Sequence, residues 1–428
     1  MARGNDQLRF EAYLERLTAV LGHADRREPL RAYLTGLLLD GDRKSVEPMA
    51  ARVDPRHVQA RHQSMHHFVA SAPWDEQALL GVVRDYALSA LERHALVTAW
   101  VIDDTGIPKK GQHSVGVGRQ YCGVLGKTDN CQVAVSLSMA NATMSIPCAW
   151  RLYLPKPWVQ DRALRRAAGI PDEVEFLTKW EIALQQLDAQ LADDLPRAPV
   201  VADAGYGVIT EFRDGLRARR LSYAVGITSE IGVWAPGTEP LPVPPYKGNG
   251  RPPVRRLRDA DHQPVSVEAL AKVLPKKAFK NLSWREGTKG RMSSRFAALR
   301  IRTAHGDRLR DQEWLVIEWP EHRPEPLKYF LSSVPEDVEL EDLIRLIKIR
   351  WRIERDYEEL KGELGLDHYE GRSWRGFHHH GALCIAAYCY LAAERTRLSP
   401  PEPLAFLRAP AVPRGFRPRG ATSAAGTA

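Results

Sequence analysis

Apolar residues in the first part of the chain recur at steps of three and four, which is the period of an amphipathic helix. One such series is Leu30, Tyr33, Leu34, Leu37 and Leu38, and similar series stand before and after it. This pattern predicts an all-helical N-terminal region over residues 1–92, which we expect to contact DNA.

A different pattern begins near residue 93, where short apolar runs are separated by Gly, Asn and Asp. The runs ALVTAWVIDDT (95–105) and PVVADAGYG (199–207) read as strands with acids at their ends, and a helix is predicted over 172–192. Strands and helices mixed in this way indicate an α/β sheet. We predict a first part of this core over 93–229 and a second part over 312–395, with a long helix from about Leu340 to Leu364.

Two stretches interrupt or follow this core. Residues 230–311 contain a crowd of Pro and Gly followed by short strand-like runs, which predicts a β-rich insertion. Residues 396–428 are rich in Pro, Arg, Ala and Gly, a composition typical of a disordered tail.

The distribution of charge indicates what the insertion could bind. The whole chain carries 61 Lys and Arg against 53 Asp and Glu, a net charge of +8. Residues 272–311 alone hold twelve Lys or Arg against three acids, a local balance of +9. Such a cluster suits phosphate groups, although a solvated basic face has the same composition.

The cysteine and histidine residues bear on whether the chain has a metal site or disulfide bonds. The five cysteines include no CxxC pair, so neither a zinc site nor a disulfide framework is predicted, and they fit reduced thiols in a cytosolic protein. His378, His379 and His380 resemble a metal tract, but three consecutive residues cannot all face one ion. We therefore predict a structural or DNA-backbone role for them. The longest apolar run, 381–393, is too short to span a bilayer and reads as a buried helix.

Three acidic positions share a setting that suits catalysis. Asp103 and Asp104 end one predicted strand, Asp203 ends another, and Glu354 lies on the long helix. Carboxylates that converge need counter-charge, and two Mg²⁺ ions could supply it while clamping the oxygens of a phosphodiester. The alternative is that each acid merely caps a turn.

Two cations flank the third acid. Arg350, Glu354 and Lys361 are separated by four and seven residues, which places them on one helix face. That face could be an ordinary ion-pair stripe, or an acid that binds metal between two cations that grip DNA phosphates.

The spacing Arg-x3-Glu-x6-Lys resembles the Tyr-x2-Arg-x3-Glu-x6-Lys signature of the DDE transposases of bacterial insertion sequences. IDDTGIPKKGQHSVGVGRQYCG, LGKTDNCQVAVSL, VVADAGYG and LKGELGLDHYEGRSWRGFHHH are similar to one branch of that group, so the resemblance covers roughly residues 30–395. It implies an RNase H-like core that is interrupted by a β-rich insertion between the second and third acids.

Carried over by position, the resemblance assigns the first, second and third metal-binding acids to Asp104, Asp203 and Glu354, with Asp103 as the alternative to Asp104. Arg350 and Lys361 take phosphate-contacting roles, and Lys109 and Lys110 would lie near the DNA. The Tyr position of the signature holds Ile347, so that hydroxyl is lacking or comes from elsewhere.

The function implied is that of an insertion-sequence transposase. It would use two Mg²⁺ ions, with Mn²⁺ able to substitute, to cut transposon ends and join the freed 3′-OH to target DNA. Its partners would be double-stranded DNA and a second copy on that DNA, in the cytoplasm at the nucleoid. The alternatives are a catalytically silent DNA-binding derivative and a metal-dependent nuclease without strand transfer.

Overall fold

The computed structural model describes residues 2–93, 95–254, 256–287, 290–306 and 309–398. Helices pack together in the N-terminal region, and their apolar stripes form part of one continuous core with the rest of the chain. They are α1 (Ala2–Ala19), α2 (Arg27–Leu38), α3 (Val46–Val53), α4 (Val58–Ala70) and α5 (Glu76–Leu91). Asp75 begins α5 by accepting hydrogen bonds from the backbone N–H groups of Gln77 and Ala78.

A large mixed sheet follows, so the predicted α/β class is confirmed. Its order is β2-β3-β1-β5-β6-β12-β11-β10-β7-β8, with β4 paired to β3 and β9 paired to β10. The strands are β1 (Ala99–Pro108), β2 (Gly118–Cys122), β3 (Lys127–Ala140), β4 (Ser145–Leu152), β5 (Val200–Ala202), β6 (Tyr223–Ile227), β7 (Gly232–Trp234), β8 (Val265–Ser266), β9 (Lys280–Gly287), β10 (Gly290–Thr303), β11 (Glu313–Glu318) and β12 (Lys328–Ser332).

Within this sheet, the run β4-β3-β1-β5-β6 is consistent with an RNase H-like core. Strand β3 is antiparallel to both β4 and β1, whereas β1, β5 and β6 run parallel to one another. The carboxyl ends of parallel strands meet at one edge of a sheet, where ligands bind in α/β proteins. The ends of β1 and β5 carry the predicted acids.

The stretch predicted as an insertion is joined to the same sheet. Strand β10 pairs antiparallel with β11, and through β7 and β9 it extends the sheet beyond the core. Hydrogen bonding therefore continues from the acid-bearing strands into residues 230–303.

The remaining helices cover the sheet. They are α6 (Lys156–Gln160), α7 (Arg162–Ala168), α8 (Lys179–Ala192), α9 (Ala204–Gly207), α10 (Thr210–Ala218), α11 (Val267–Val273), α12 (Leu340–Lys348), α13 (Trp351–Gly362) and α14 (Trp374–Leu398). The helix predicted over 172–192 begins only at Lys179, because a capping box between Thr178 and Glu181 starts it there. The helix predicted from Leu340 to Leu364 is interrupted at residues 349 and 350.

Helix α14 joins the N-terminal helices to the sheet. Its Glu394 pairs with Arg9 of α1 at 2.6 Å, and its backbone accepts a hydrogen bond from Tyr13 at Ala386. The predicted tail begins inside this helix, since residues 396–398 are helical, and its remainder lies outside the described residues. In the described part of the chain, no helix is long and apolar enough to cross a membrane.

Candidate active site

Strand register brings two of the acids together. In the parallel pair β1 and β5, Trp100 lies opposite Val200 and Val101 opposite Val201. The same register, continued by two residues, sets Asp103 level with Asp203. Side chains at matched positions of neighbouring strands project to the same face of the sheet, so these two carboxylates share one face.

Close backbone packing fixes the turn that carries Asp203. A Cβ added at Gly207 would lie 1.9 Å from the carbonyl oxygen of Gly226 on β6, and one added at Gly226 would lie 3.0 Å from the backbone nitrogen of Ala204. Only glycine permits this approach. The turn after β5 is therefore pressed against β6, and Asp203 is held at the edge of the sheet.

Arg350 lies among the three acids. Its Nη1 is 2.9 Å from Oδ2 of Asp103, and its Nη2 is 3.3 Å from Oε1 of Glu354. Burial opposes the charge of this guanidinium, but the carboxylates of Asp103, Asp203 and Glu354 outweigh burial and raise the pKa of Arg350. One cation thus bridges acids from β1 and α13, and the charge of Asp203 in the turn after β5 adds to the field at its guanidinium.

Burial affects the carboxylates of both Asp103 and Asp203. Burial, reinforced by Asp203 and Asp104 and partly offset by Arg350, raises the pKa of Asp103 to about 7. Oδ1 of Asp203 is buried and has no hydrogen-bond partner among the described residues. Both groups present carboxylate oxygens to which a divalent cation can bind. By contrast, the Glu354 side chain is 65% exposed.

Asp104 has a different partner. Its Oδ2 lies 2.5 Å from Nζ of Lys179, at the start of α8. Consecutive side chains on a strand project to opposite faces, so β1 directs Asp103 towards α13 and Asp104 towards α8. Sequence reasoning missed Lys179 because 75 residues separate it from Asp104. The Thr178–Glu181 capping box could have indicated that Lys179 begins a helix.

The lysines predicted to contact DNA differ in their exposure and hydrogen bonding. Nζ of Lys361 donates to the carbonyl of Gly106 on β1 at 2.9 Å, and Nζ of Lys109 donates to the carbonyl of Tyr369 at 2.8 Å. Burial lowers the pKa of both lysines. Lys110 is exposed. Two of the three ammonium groups are therefore used in binding backbone carbonyls beside the acid-bearing strand.

The three histidines are structural contacts of α14. The ring of His378 accepts from the backbone N–H of Leu152, that of His379 lies 3.1 Å and 3.0 Å from the carbonyls of Val69 and Trp74, and that of His380 bonds the Tyr33 hydroxyl. Burial lowers their pKa values to between about 3 and about 4. Within the described ranges, no three His, Cys, Asp or Glu side chains are grouped closely enough to hold a metal ion as they stand.

Comparison with known families defines the class of protein. The family model described as DDE superfamily endonuclease matches residues 16–291, well over half of the chain. The chain belongs to this family. The matched span includes β1 with Asp103 and Asp104, and the turn with Asp203, and it ends before Glu354.

A curated relative adds a more particular likeness. The chain is 31% identical over 195 residues to a protein of Microchaete diplosiphon described as a probable transposase for insertion sequence element IS701. The aligned region is 45% of this chain and 47% of the relative. The chain thus matches about half the length of that transposase.

Proposed function

We propose that this DDE superfamily endonuclease is the transposase of an insertion sequence. It would cut phosphodiester bonds at the transposon ends and transfer the freed 3′-OH to target DNA. The observation that carries this proposal is that Arg350 bridges Asp103 and Glu354, while Asp203 lies level with Asp103 at the end of the neighbouring strand. The likeness to the IS701 transposase supports it from an independent direction.

The chemistry of these acids suits a divalent metal, whose binding would have to draw the carboxylates closer together than they stand. Asp203 has an oxygen without a partner, and the pKa of Asp103 is raised to about 7 because its carboxylate is buried beside other acids. Hard cations such as Mg²⁺ and Mn²⁺ bind such oxygens. When bound, two such ions would stabilise the attacking and leaving oxygens of an in-line displacement.

For the first acid we propose Asp103 rather than Asp104, which the sequence resemblance preferred. Asp103 shares a face with Asp203 and contacts the same guanidinium as Glu354, whereas Asp104 pairs with Lys179 on the other face. The metal-holding set would then be Asp103, Asp203 and Glu354, with Asp104 as the alternative to test.

The DNA would be bound by cations around this set. Arg350 and the exposed Lys110 are the candidates for direct phosphate contact. Lys361 and Lys109 would have to exchange a backbone carbonyl for a phosphate oxygen, or hold β1 and the segment after α13 in place beside the DNA. We further propose that two copies act together on paired transposon ends at the nucleoid, because two ends must be cut in concert. We also propose that the chain is divided into a helical region over 1–92, a core over 93–229 and 312–395, and an insertion over 230–311.

The test is Mg²⁺- or Mn²⁺-dependent cleavage of DNA that carries the element's own ends, followed by joining to a target plasmid. The variants are Asp103→Asn, Asp104→Asn, Asp203→Asn and Glu354→Gln. We expect Asp103, Asp203 and Glu354 variants to bind DNA without cutting it, and Asp104→Asn to retain cleavage.

Each other outcome has a definite meaning. If Asp104→Asn abolishes cleavage while Asp103→Asn does not, the first acid is Asp104. If the wild type cuts but never joins the ends to target DNA, the protein is a nuclease without strand transfer. If the wild type binds DNA but never cuts, or Glu354→Gln cuts normally, the catalytic proposal fails.

A further inference from the structure

Arg350 occupies the acid cluster as a ligand would. Its two terminal nitrogens contact carboxylate oxygens of Asp103 and Glu354, and Asp203 adds to the field that it experiences. Its side chain is only 25% exposed. The guanidinium is therefore a half-buried bridge between acids from different parts of the fold.

The oxygens that Arg350 contacts are the ones a divalent ion would need. A guanidinium bound to Oδ2 of Asp103 uses lone pairs of that carboxylate, and a divalent ion beside the same oxygens would meet the guanidinium as a like charge at short range. The two cations therefore compete for these carboxylates, and the binding of one weakens the binding of the other.

The same geometry explains how acids can be assembled before any ion binds. Three carboxylates cannot all remain ionised at close range without positive charge nearby. Arg350 supplies that charge from within the chain and reaches both β1 and α13.

We infer that Arg350 is a placeholder cation, which holds the acid cluster together in the metal-free chain and is displaced when divalent ions bind. This inference rests on the proposed function, in which the same acids hold metal. Displacement would release a guanidinium beside the metal-binding edge, free to bind a DNA phosphate. The binding of metal and the binding of DNA would thus be coupled through the Arg350 side chain.

The test measures Mn²⁺ binding to the full-length chain without DNA, by isothermal titration calorimetry at pH 8. The test variant is Arg350→Gln, which removes the charge and leaves a shorter, neutral amide side chain. Arg355→Gln is the matched control, because it removes an equal charge five residues along the chain, next to Glu354 on α13. The Arg355 side chain is 68% exposed and contacts Glu359 instead. Arg350→Lys keeps the charge but replaces the forked guanidinium, whose two terminal nitrogens reach the two acids, with a single ammonium nitrogen.

We expect Arg350→Gln to bind Mn²⁺ roughly tenfold more tightly than the wild type, since losing a charge-assisted hydrogen bond to the competitor is worth that order of affinity. Arg355→Gln should change the affinity by less than roughly threefold, as expected for exposed charges, and Arg350→Lys should fall between. In parallel, Arg350→Gln should bind end DNA more weakly. Thermal melting of each variant checks that it is folded.

Unchanged or weaker Mn²⁺ binding by folded Arg350→Gln would overturn the inference, as would an equal gain in Arg355→Gln. Cleavage of end DNA by the wild type in the same preparation distinguishes failure of the placeholder role from failure of the proposed function. If the wild type cuts DNA while Arg350→Gln shows no gain in Mn²⁺ affinity, only the placeholder role falls. If no preparation binds Mn²⁺ or cuts DNA, the proposed function falls with it.

Discussion

Asp356 provides a sharp test of how helix α13, which carries Glu354, is anchored. It is 5% exposed and lies on the side of α13 away from solvent, where its carboxylate accepts hydrogen bonds from the hydroxyls of Ser145 and Tyr388. Burial dominates over these hydrogen bonds and raises its pKa to about 7. The perturbation we choose is Asp356→Asn, which keeps the shape and removes the titration.

The sign of the effect follows from linkage. In the unfolded chain an Asp ionises near pH 3.9, whereas in the folded chain Asp356 keeps its proton until about pH 7. Stability from this group is greatest below pH 3.9 and is lost as the pH rises towards 7. The loss is about 2 kcal/mol at pH 5.5 and about 4 kcal/mol above pH 7.

The assay is urea unfolding at pH 5.5, 6.5 and 7.5, read by tryptophan fluorescence. Wild type should lose about 2 kcal/mol more than Asp356→Asn between pH 5.5 and 7.5, because other titrating groups are common to both chains and cancel. Glu358→Gln, an exposed acid on the same helix, is the control and should follow the wild type. Parallel pH profiles for wild type and Asp356→Asn would refute the reasoning.

Three further predictions concern the site and its supports. Because the pKa of Asp103 is about 7, Mn²⁺ affinity measured by calorimetry should fall about tenfold per pH unit below 7, and this slope should vanish in Asp103→Asn, whereas an unchanged slope would contradict the assignment. Gly207→Ala should destabilise the fold by about 1–3 kcal/mol in urea, since its Cβ would collide with the carbonyl of Gly226, whereas Gly111→Ala, with open space around it, should not. His379→Ala should lower the melting temperature through loss of about 2–4 kcal/mol, and neither chain should respond to a zinc chelator; a chelator-sensitive wild type would show that the histidines hold metal.

Part of the site was predictable because local patterns carry it. The acids at the ends of β1 and β5 follow apolar runs, and the four-residue step from Arg350 to Glu354 predicts the contact that the structure contains. The choice between Asp103 and Asp104 was not predictable in the same way. Alternation states only that the two face opposite sides, and the register with β5 is needed to say which side holds Asp203.

Long-range contacts account for the rest of what the sequence left open. Lys179 reaches Asp104 across 75 residues, and no spacing rule connects them. Residues 230–311 were predicted as an insertion distinct from the core, yet β10 pairs with β11 and continues the sheet. The sequence pattern did not reveal this pairing, because strand pairing depends on partners far along the chain. The interruption of the long helix at residues 349 and 350 also left no mark in the apolar pattern.

The buried contacts of α14 have a consequence for how DNA ends would be measured. His379 bonds the carbonyls of Val69 and Trp74, and His380 bonds Tyr33, so the N-terminal helices are fastened to the same helix that packs on the sheet. If the N-terminal helices contact DNA, as we expect from the sequence, the bound DNA segment would lie at a constant distance from the acids. The protein would then fix the number of base pairs between the recognised sequence and the cut. Inserting a few base pairs between them should abolish cutting rather than shift the position of the cut.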